Sequence, residues 1–141
     1  MEINFFTENI SFEVENQDLL KEWIDKVCDD RSFQVGNVNY IFTDDNTLLQ
    51  VNKKFLNQDY LTDIITFDDT QANEISGDIY ISIDRIKENA HTYRRSFLDE
   101  LHRVMIHGIL HLTGIRDQTD TEKKMMRELE DKYLSLLTDL T

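Results

Sequence analysis

The amino-acid sequence predicts an α+β domain, with a small mixed β-sheet packed with several helices and a helical C-terminal half. Two observations lead to this prediction. Short alternating or β-branched apolar runs occur among helical segments up to residue 83, whereas after Asp84 the apolar residues recur only at helical spacing. No proline, repeat or flexible linker interrupts the 141 residues. We therefore expect residues 1–141 to form a single domain.

Strand and helix signals are mixed in the first half of the chain. Val38, Tyr40 and Phe42 alternate as in a half-buried strand, and apolar residues between 19 and 27 recur as on one buried helix face. Thr43 or Asp44 stands at an N-cap position. The predicted elements are a strand over 3–6, a helix over 16–28, a strand over 38–42, a helix carrying Leu48, Leu49, Val51 and Phe55, and strands over 63–67 and 77–83.

Three helices are predicted after Asp84, over residues 84–93, 96–113 and 120–137. Thr119 and Glu122 have the spacing of a capping box for the last one. At 100° per residue, the middle helix directs one apolar face to the core. That face consists of Leu98, Leu101, Met105, Ile109 and Leu112.

The four histidines of the chain fall on different surfaces of these helices. His107 and His111 lie opposite the apolar face of the middle helix, with Arg103 near them. His102 lies on the apolar side, so we expect a structural role, and we expect His91 to be an ordinary surface residue.

Charge is unevenly distributed along the sequence. The net charge of −13 disfavours a nucleic-acid partner, because phosphate contacts need lysine and arginine. Residues 85–116 are the exception, with six basic and three acidic residues, and they contain His107 and His111. The single Cys28 cannot form an internal disulfide, and neither a secretion signal nor a membrane-spanning run is recognisable. These features predict a cytoplasmic protein with no membrane partner.

The segment HGILHLTGIRD, residues 107–117, has the spacing of a zinc site. On a helix, His107 and His111 lie one turn apart, about 5–6 Å between Cβ atoms, so both imidazoles can reach one ion. Gly114 suits a helix end, because a left-handed backbone costs glycine almost nothing. The chain can then return Asp117 to the histidines. We predict that His107, His111 and Asp117 bind one Zn²⁺ ion and leave a fourth position for water.

Gly108 disfavours peptide hydrolysis at this site. Zinc proteases place a glutamate general base directly after the first histidine, and glycine has no side chain to take that role. Phosphodiester cleavage instead needs neutralised phosphate charge and an oriented attacking oxygen, which a metal ion and nearby cations supply. Glycine here suits either the approach of a bulky backbone to the ion or close helix packing.

The sequence resembles the YbeY endoribonucleases of bacteria. Their hallmark H-G-x-L-H-L-x-G-Y-D-H is similar to HGILHLTGIRD. Their L-N-x-x-Y-R-x-x-D-x-P-T-D-V-L-S-F is similar to VNKKFLNQDYLTDIITF, and their L-G-D-I strand is similar to SGDI. The three motifs follow in the same order between residues 51 and 117.

The resemblance implies a zinc-dependent, single-strand-specific endoribonuclease that matures the 3′ end of 16S ribosomal RNA and takes part in ribosome quality control. Its implied partners are single-stranded RNA and the ribosome, with a ribosomal protein as a further candidate. His107 and His111 match the first two zinc ligands of the family, and Asp117 takes the place of a third histidine. One carboxylate leaves the centre at +1 rather than +2, so we expect a weaker Lewis acid than with three histidines.

The sequence departs from the family pattern at Leu56, where the family has an arginine thought to bind or cleave RNA. Arg103 and Arg116 are candidates to replace it, although both also suit the protein surface. Leu61 and Ile115 replace a family proline and tyrosine, and both changes fit packing.

Two aspartates that match the family, Asp63 and Asp78, either cap strand ends or support the metal ligands from behind. The general base is not identified. A non-enzymatic, zinc-stabilised ribosome-associated factor stays open as an alternative, because the missing arginine at Leu56 and the acidic surface are unfavourable for RNA binding and cleavage. A metalloprotease is the least favoured function.

Overall fold

A computed structural model describes all 141 residues as a four-stranded sheet and five α-helices. The strands are β1 (Glu2–Thr7), β2 (Gln34–Thr43), β3 (Ile64–Asp68) and β4 (Glu74–Ser82). The helices are α1 (Gln17–Asp30), α2 (Asp45–Leu56), α3 (Ile83–Tyr93), α4 (Phe97–Leu112) and α5 (Asp120–Leu140). No helix is both long enough and apolar enough to span a bilayer.

The sheet is mixed, in the order β1-β2-β4-β3. β1 pairs parallel with β2, β2 pairs parallel with β4, and β3 pairs antiparallel with β4. α1 connects β1 to β2 and packs against β2, whereas α2 follows β2 and packs against β4. β3 is left as an edge strand.

The main core lies on the α1 face of the sheet. Ile75, Ile79 and Ile81 alternate along β4 and are fully buried, together with Trp23 of α1. The Trp23 Nε1–H donates a 2.7 Å hydrogen bond to the backbone oxygen of Tyr133, which ties α1 to α5. α4 crosses the same face and contacts both β3 and β4.

The predicted α+β class and mixed sheet are confirmed, as is the capping box of Thr119 and Glu122. The prediction for Leu98 is wrong, because its side chain is 44% exposed. Phe97, one turn before Leu101, takes the inward position and packs against Phe12 at 6.1 Å between ring centroids.

The boundary between β4 and α3 also differs from the prediction. Ile83 begins α3 rather than ending β4, because the Ser82 hydroxyl accepts a hydrogen bond from the backbone N–H of Arg85 and caps the helix. β2 and α5 are both longer than predicted.

Candidate metal centre

α4 presents its histidines from a helix that is pressed tightly against the sheet. A Cβ atom at Gly108 would lie 3.0 Å from Ile79 Cγ2 and 3.1 Å from Ile64 Cδ1. Close helix–sheet packing therefore explains the glycine. A glutamate at this position would point into the sheet rather than towards the histidines, so the arrangement of a zinc protease does not fit this site.

The turn after α4 returns the chain to the histidine face. Gly114 has a φ of 93°, a value that L-residues rarely adopt. Its N–H donates to the backbone oxygen of His111 at 3.0 Å, and the N–H of Ile115 donates to that of Leu110 at 3.0 Å. The reversal brings Asp117 alongside both imidazoles.

The three predicted ligands converge. Asp117 Oδ2 lies 3.3 Å from His107 Nε2 and 3.5 Å from His111 Nε2, and one ligand atom from each residue lies within 4.8 Å of the others. Two donors bound at about 2.0–2.1 Å to one tetrahedral ion would be about 3.3 Å apart. The group has the composition and spacing to hold a metal ion, while the assignment of these residues as ligands stays a prediction.

Each imidazole is oriented through its other nitrogen. His107 Nδ1 lies 2.6 Å from Glu130 Oε2, and His111 Nδ1 lies 3.0 Å from the backbone oxygen of Ile115. Because both partners are acceptors, they favour the tautomer with the proton on Nδ1. The Nε2 lone pairs are then free and face Asp117, which is the arrangement of a metal-binding histidine and its supporting partner.

The two histidines differ in their pKa. Burial lowers the pKa of His111, and the neighbouring His107 adds to this effect. Burial also acts to lower the pKa of His107, but the hydrogen bond and the charge of Glu130 outweigh it, so that pKa is raised. His111 is therefore held in the neutral form that binds metal, whereas a metal ion at His107 must compete with a proton.

Arg103 holds Glu130 in place behind His107. Its Nη1 lies 3.2 Å from Glu130 Oε1 and its Nη2 lies 2.8 Å from Asp131 Oδ1. The side chain of Arg103 is 16% exposed and lines the cavity beside the histidines. Since both ends of the guanidinium bind carboxylates, Arg103 is not a free cation for phosphate.

Glu130 is the site residue that the sequence analysis missed. Its side chain is 7% exposed, and it occupies a place in the buried stripe of α5 with Met126, Tyr133 and Leu137. A glutamate in an otherwise apolar stripe is a recognisable signal, because a buried carboxylate needs partners.

An open cavity of about 710 Å³ adjoins the metal centre and is called the cleft below. It lies between the loop after α2, the edge strand β3, α4 and α5. Its charged lining is mostly acidic, with Arg103 and the carboxylates of Asp63, Asp68, Glu100, Asp117 and Glu130. A cation bound at the histidines would offset part of this negative charge.

The two matched aspartates lie in different places. Asp63 lines the cleft, and its Oδ2 accepts a 3.3 Å hydrogen bond from Asn89. Burial raises the pKa of the Asp63 carboxyl. Asp78 instead accepts a 3.0 Å hydrogen bond from Asn39 on the opposite face of the sheet, so it does not line the cleft.

Leu56 and Arg116, a candidate to replace the family arginine, lie in different places. Leu56 lines the cleft and is 43% exposed. Arg116 is 74% exposed and lies 3.9 Å from Glu122. No arginine therefore replaces the missing side chain at the position of Leu56.

Comparisons with known proteins agree over nearly the whole chain. The family model described as Endoribonuclease YbeY matches residues 2–138. The protein named Endoribonuclease YbeY of Cytophaga hutchinsonii is 46% identical over 95% of this chain and 94% of its own length. Its namesake in Parabacteroides distasonis is 41% identical over 99% of this chain and 98% of its own length.

A solved structure is also similar to this chain. The solution structure of a Thermotoga maritima protein matches with a TM-score of 0.68 and 30% identity, over 96% of this chain and 89% of that one. Together with the family match, these likenesses extend far beyond the histidine motif. The chain belongs to the YbeY family of endoribonucleases.

Proposed function

We propose that the protein is a zinc-dependent endoribonuclease that cleaves single-stranded RNA at the cleft, with His107, His111 and Asp117 as the zinc ligands. In the cell it acts in the cytoplasm on the 3′ end of 16S ribosomal RNA and in ribosome quality control. The ribosome, including a ribosomal protein, is its partner in this role.

One observation carries the proposal: both imidazoles use Nδ1 for protein partners and turn Nε2 towards Asp117. This arrangement suits a metal ion better than an isolated ion pair, because two orienting partners are built behind the two rings. When bound, zinc would supply Lewis acidity towards a phosphodiester and its attacking water.

The residues of the chain perform the remaining tasks. Glu130 and the Ile115 carbonyl orient the imidazoles, and Arg103 holds Glu130 against His107. Asp63, whose pKa is raised by burial, is a cleft carboxyl suited to exchange a proton nearer neutral pH than an exposed aspartate.

The location of the three ligands also bears on the non-enzymatic alternative. Structural zinc sites are usually closed by four protein ligands, whereas catalytic sites keep one position open. Here a group of three ligands borders a cavity of about 710 Å³. Access for a substrate therefore favours catalysis over a purely stabilising ion.

The test is cleavage of a labelled single-stranded RNA by the purified protein, with and without zinc, beside His111→Ala purified identically. We expect cleavage by the wild-type protein alone, and its loss on chelation. Equal cleavage by both proteins would indicate a contaminating ribonuclease and contradict the assignment. A zinc-containing wild-type protein that binds the ribosome but cuts nothing would support the non-enzymatic factor.

A further inference from the structure

Four large exposed apolar side chains lie between residues 55 and 61, and two of them, Leu56 and Tyr60, line the cleft. Phe55, Leu56, Tyr60 and Leu61, called the rim patch below, are 61%, 43%, 55% and 49% exposed. Only five other large apolar side chains in the chain are comparably exposed, and they are scattered over its length. Such a concentration of exposed apolar surface marks a binding site more often than chance.

The rim patch is continuous with the metal centre. Leu56 and Tyr60 line the same cavity as His107, His111 and Asp117. An occupant of the rim patch would therefore extend along the cleft to the three ligands. This continuity favours the substrate over an unrelated partner as the occupant.

Hydrogen bonds hold the rim patch in its exposed position. Asn52 is 1% exposed, and its Nδ2 donates to the backbone oxygen of Tyr60 at 3.1 Å. Its own backbone oxygen accepts from the N–H of Gln58 at 3.1 Å. The Tyr60 hydroxyl donates to Gln58 Oε1 at 2.8 Å. The Tyr60 ring is thus presented to solvent by a defined loop.

Aromatic packing and positive charge accompany the exposed rings. The ring of Phe55 meets that of Phe67 edge to face, with 5.9 Å between centroids. Lys54 Nζ lies 5.2 Å from the Phe55 ring centroid, and Lys53 Nζ lies 3.4 Å from Asp59. Aromatic rings beside a few lysines are typical of surfaces that bind single-stranded nucleic acid.

The charge of the cleft decides which part of an RNA suits this surface. Its five carboxylates and single, doubly paired arginine disfavour a row of phosphates. Nucleobases are neutral and have apolar faces that stack on aromatic rings regardless of sequence. A base-paired helix hides those faces, whereas a single strand exposes them.

We propose that the rim patch binds unstacked bases of single-stranded RNA, with Tyr60 as the stacking residue. Contacts with bases then replace the RNA binding that the resemblance implies for the family arginine, whose position is occupied by Leu56. This inference rests on the proposed endoribonuclease function and deepens it, because it names the part of the substrate that the cleft recognises.

The test is fluorescence anisotropy with the zinc-loaded protein and a labelled single-stranded 2′-O-methyl RNA. An abasic oligonucleotide of the same length supplies the phosphates without the bases. We expect Tyr60→Ala to weaken binding of the base-containing strand about tenfold or more, and to leave the weaker binding of the abasic strand unchanged. Tyr60→Phe keeps the ring and should bind like wild type, which separates stacking from the hydrogen bond to Gln58.

Tyr93→Ala is the matched control, because Tyr93 is 56% exposed and does not line the cleft. The inference is overturned if Tyr60→Ala binds the base-containing strand as tightly as wild type, or if wild type binds both strands equally. If wild type nevertheless cleaves RNA in a zinc-dependent manner, only base stacking is wrong, and the rim patch is left for a protein partner. If wild type neither binds nor cleaves single-stranded RNA, the proposed function fails as well.

Discussion

A single buried carboxylate, Glu130, connects the candidate metal centre to the rest of the protein. One of its oxygens lies 2.6 Å from His107 Nδ1 and the other lies 3.2 Å from Arg103 Nη1. A carboxylate in such a place is stable only when its charge is paired, and both of its partners come from α4. The packing of α5 on α4 therefore also determines the orientation of His107.

We expect Glu130→Gln to weaken zinc binding about 10–100-fold, the usual effect of removing a supporting partner of a metal-binding histidine. The amide keeps the size of the side chain but accepts a weaker hydrogen bond, so His107 loses orientation and basicity. Zinc affinity is measured by competition with a chromophoric chelator at mildly alkaline pH, where protonation of His107 does not interfere.

Glu128→Gln on the same helix is the control, because Glu128 is exposed and makes no contact with the histidines. It removes the same charge from the chain and should leave zinc affinity unchanged. An equal loss in both variants would mean that net charge, rather than the contact to His107, controls metal affinity.

The residues of the centre differ in how well the sequence predicted them. His107, His111 and Asp117 lie within 11 residues, so helix periodicity and one glycine turn are enough to bring them together. Glu130 depends on how α5 docks against α4, which no local pattern specifies. The same docking explains why Arg103 is engaged by carboxylates and not free at the surface.

At the scale of elements, the pairing of β3 with β4 places one wall of the cleft. Ile64 pairs with Ile81, and Asp68 pairs with Gly77 at the far end of the ladder. Gly77 has a φ of 155°, and a Cβ atom there would collide with the backbone oxygen of Phe67. Since a backbone atom cannot move aside as a side chain does, glycine is required for the two strands to meet.

We expect Gly77→Ala to lower the free energy of unfolding by roughly 3 kcal/mol, the upper end of the cost of overpacking. Urea denaturation followed by circular dichroism measures this change. Gly36→Ala on β2 is the comparison, because the atoms nearest to its new Cβ belong to the flexible side chains of Ser76 and Glu74. Equal losses in the two variants would show that the collision with β3 is not the cause.

The types of the elements could be predicted from the sequence, but their arrangement could not. Alternation in β2 and helical spacing in α4 are local properties, and both elements are found where they are expected. The order β1-β2-β4-β3 depends on pairing between distant segments, with β4 placed between β2 and β3. The prediction for Leu98 failed for a similar reason. At the start of α4, packing against distant residues turns Phe97 inward and leaves Leu98 exposed.

At the scale of the whole molecule, the protein carries a net charge of −13 and binds a polyanion under the proposed function. Most RNA-binding surfaces offset phosphate charge with many lysines and arginines. Here the cleft lining contains one arginine, which is already paired, and Lys53 and Lys54 stand beside the rim patch. The affinity for RNA must then come mainly from contacts with the bases and from a cation bound at the histidines.

We therefore expect RNA binding to depend only weakly on salt. For a single strand, the slope of log K against log salt is about −0.7 for each phosphate contact, so two lysines give about −1.4. The measurement is anisotropy of the labelled 2′-O-methyl RNA over a series of KCl concentrations, at fixed pH and zinc. Lys54→Ala should reduce the magnitude of the slope by about 0.7. A wild-type slope of about −4 would correspond to six phosphate contacts and contradict recognition through bases.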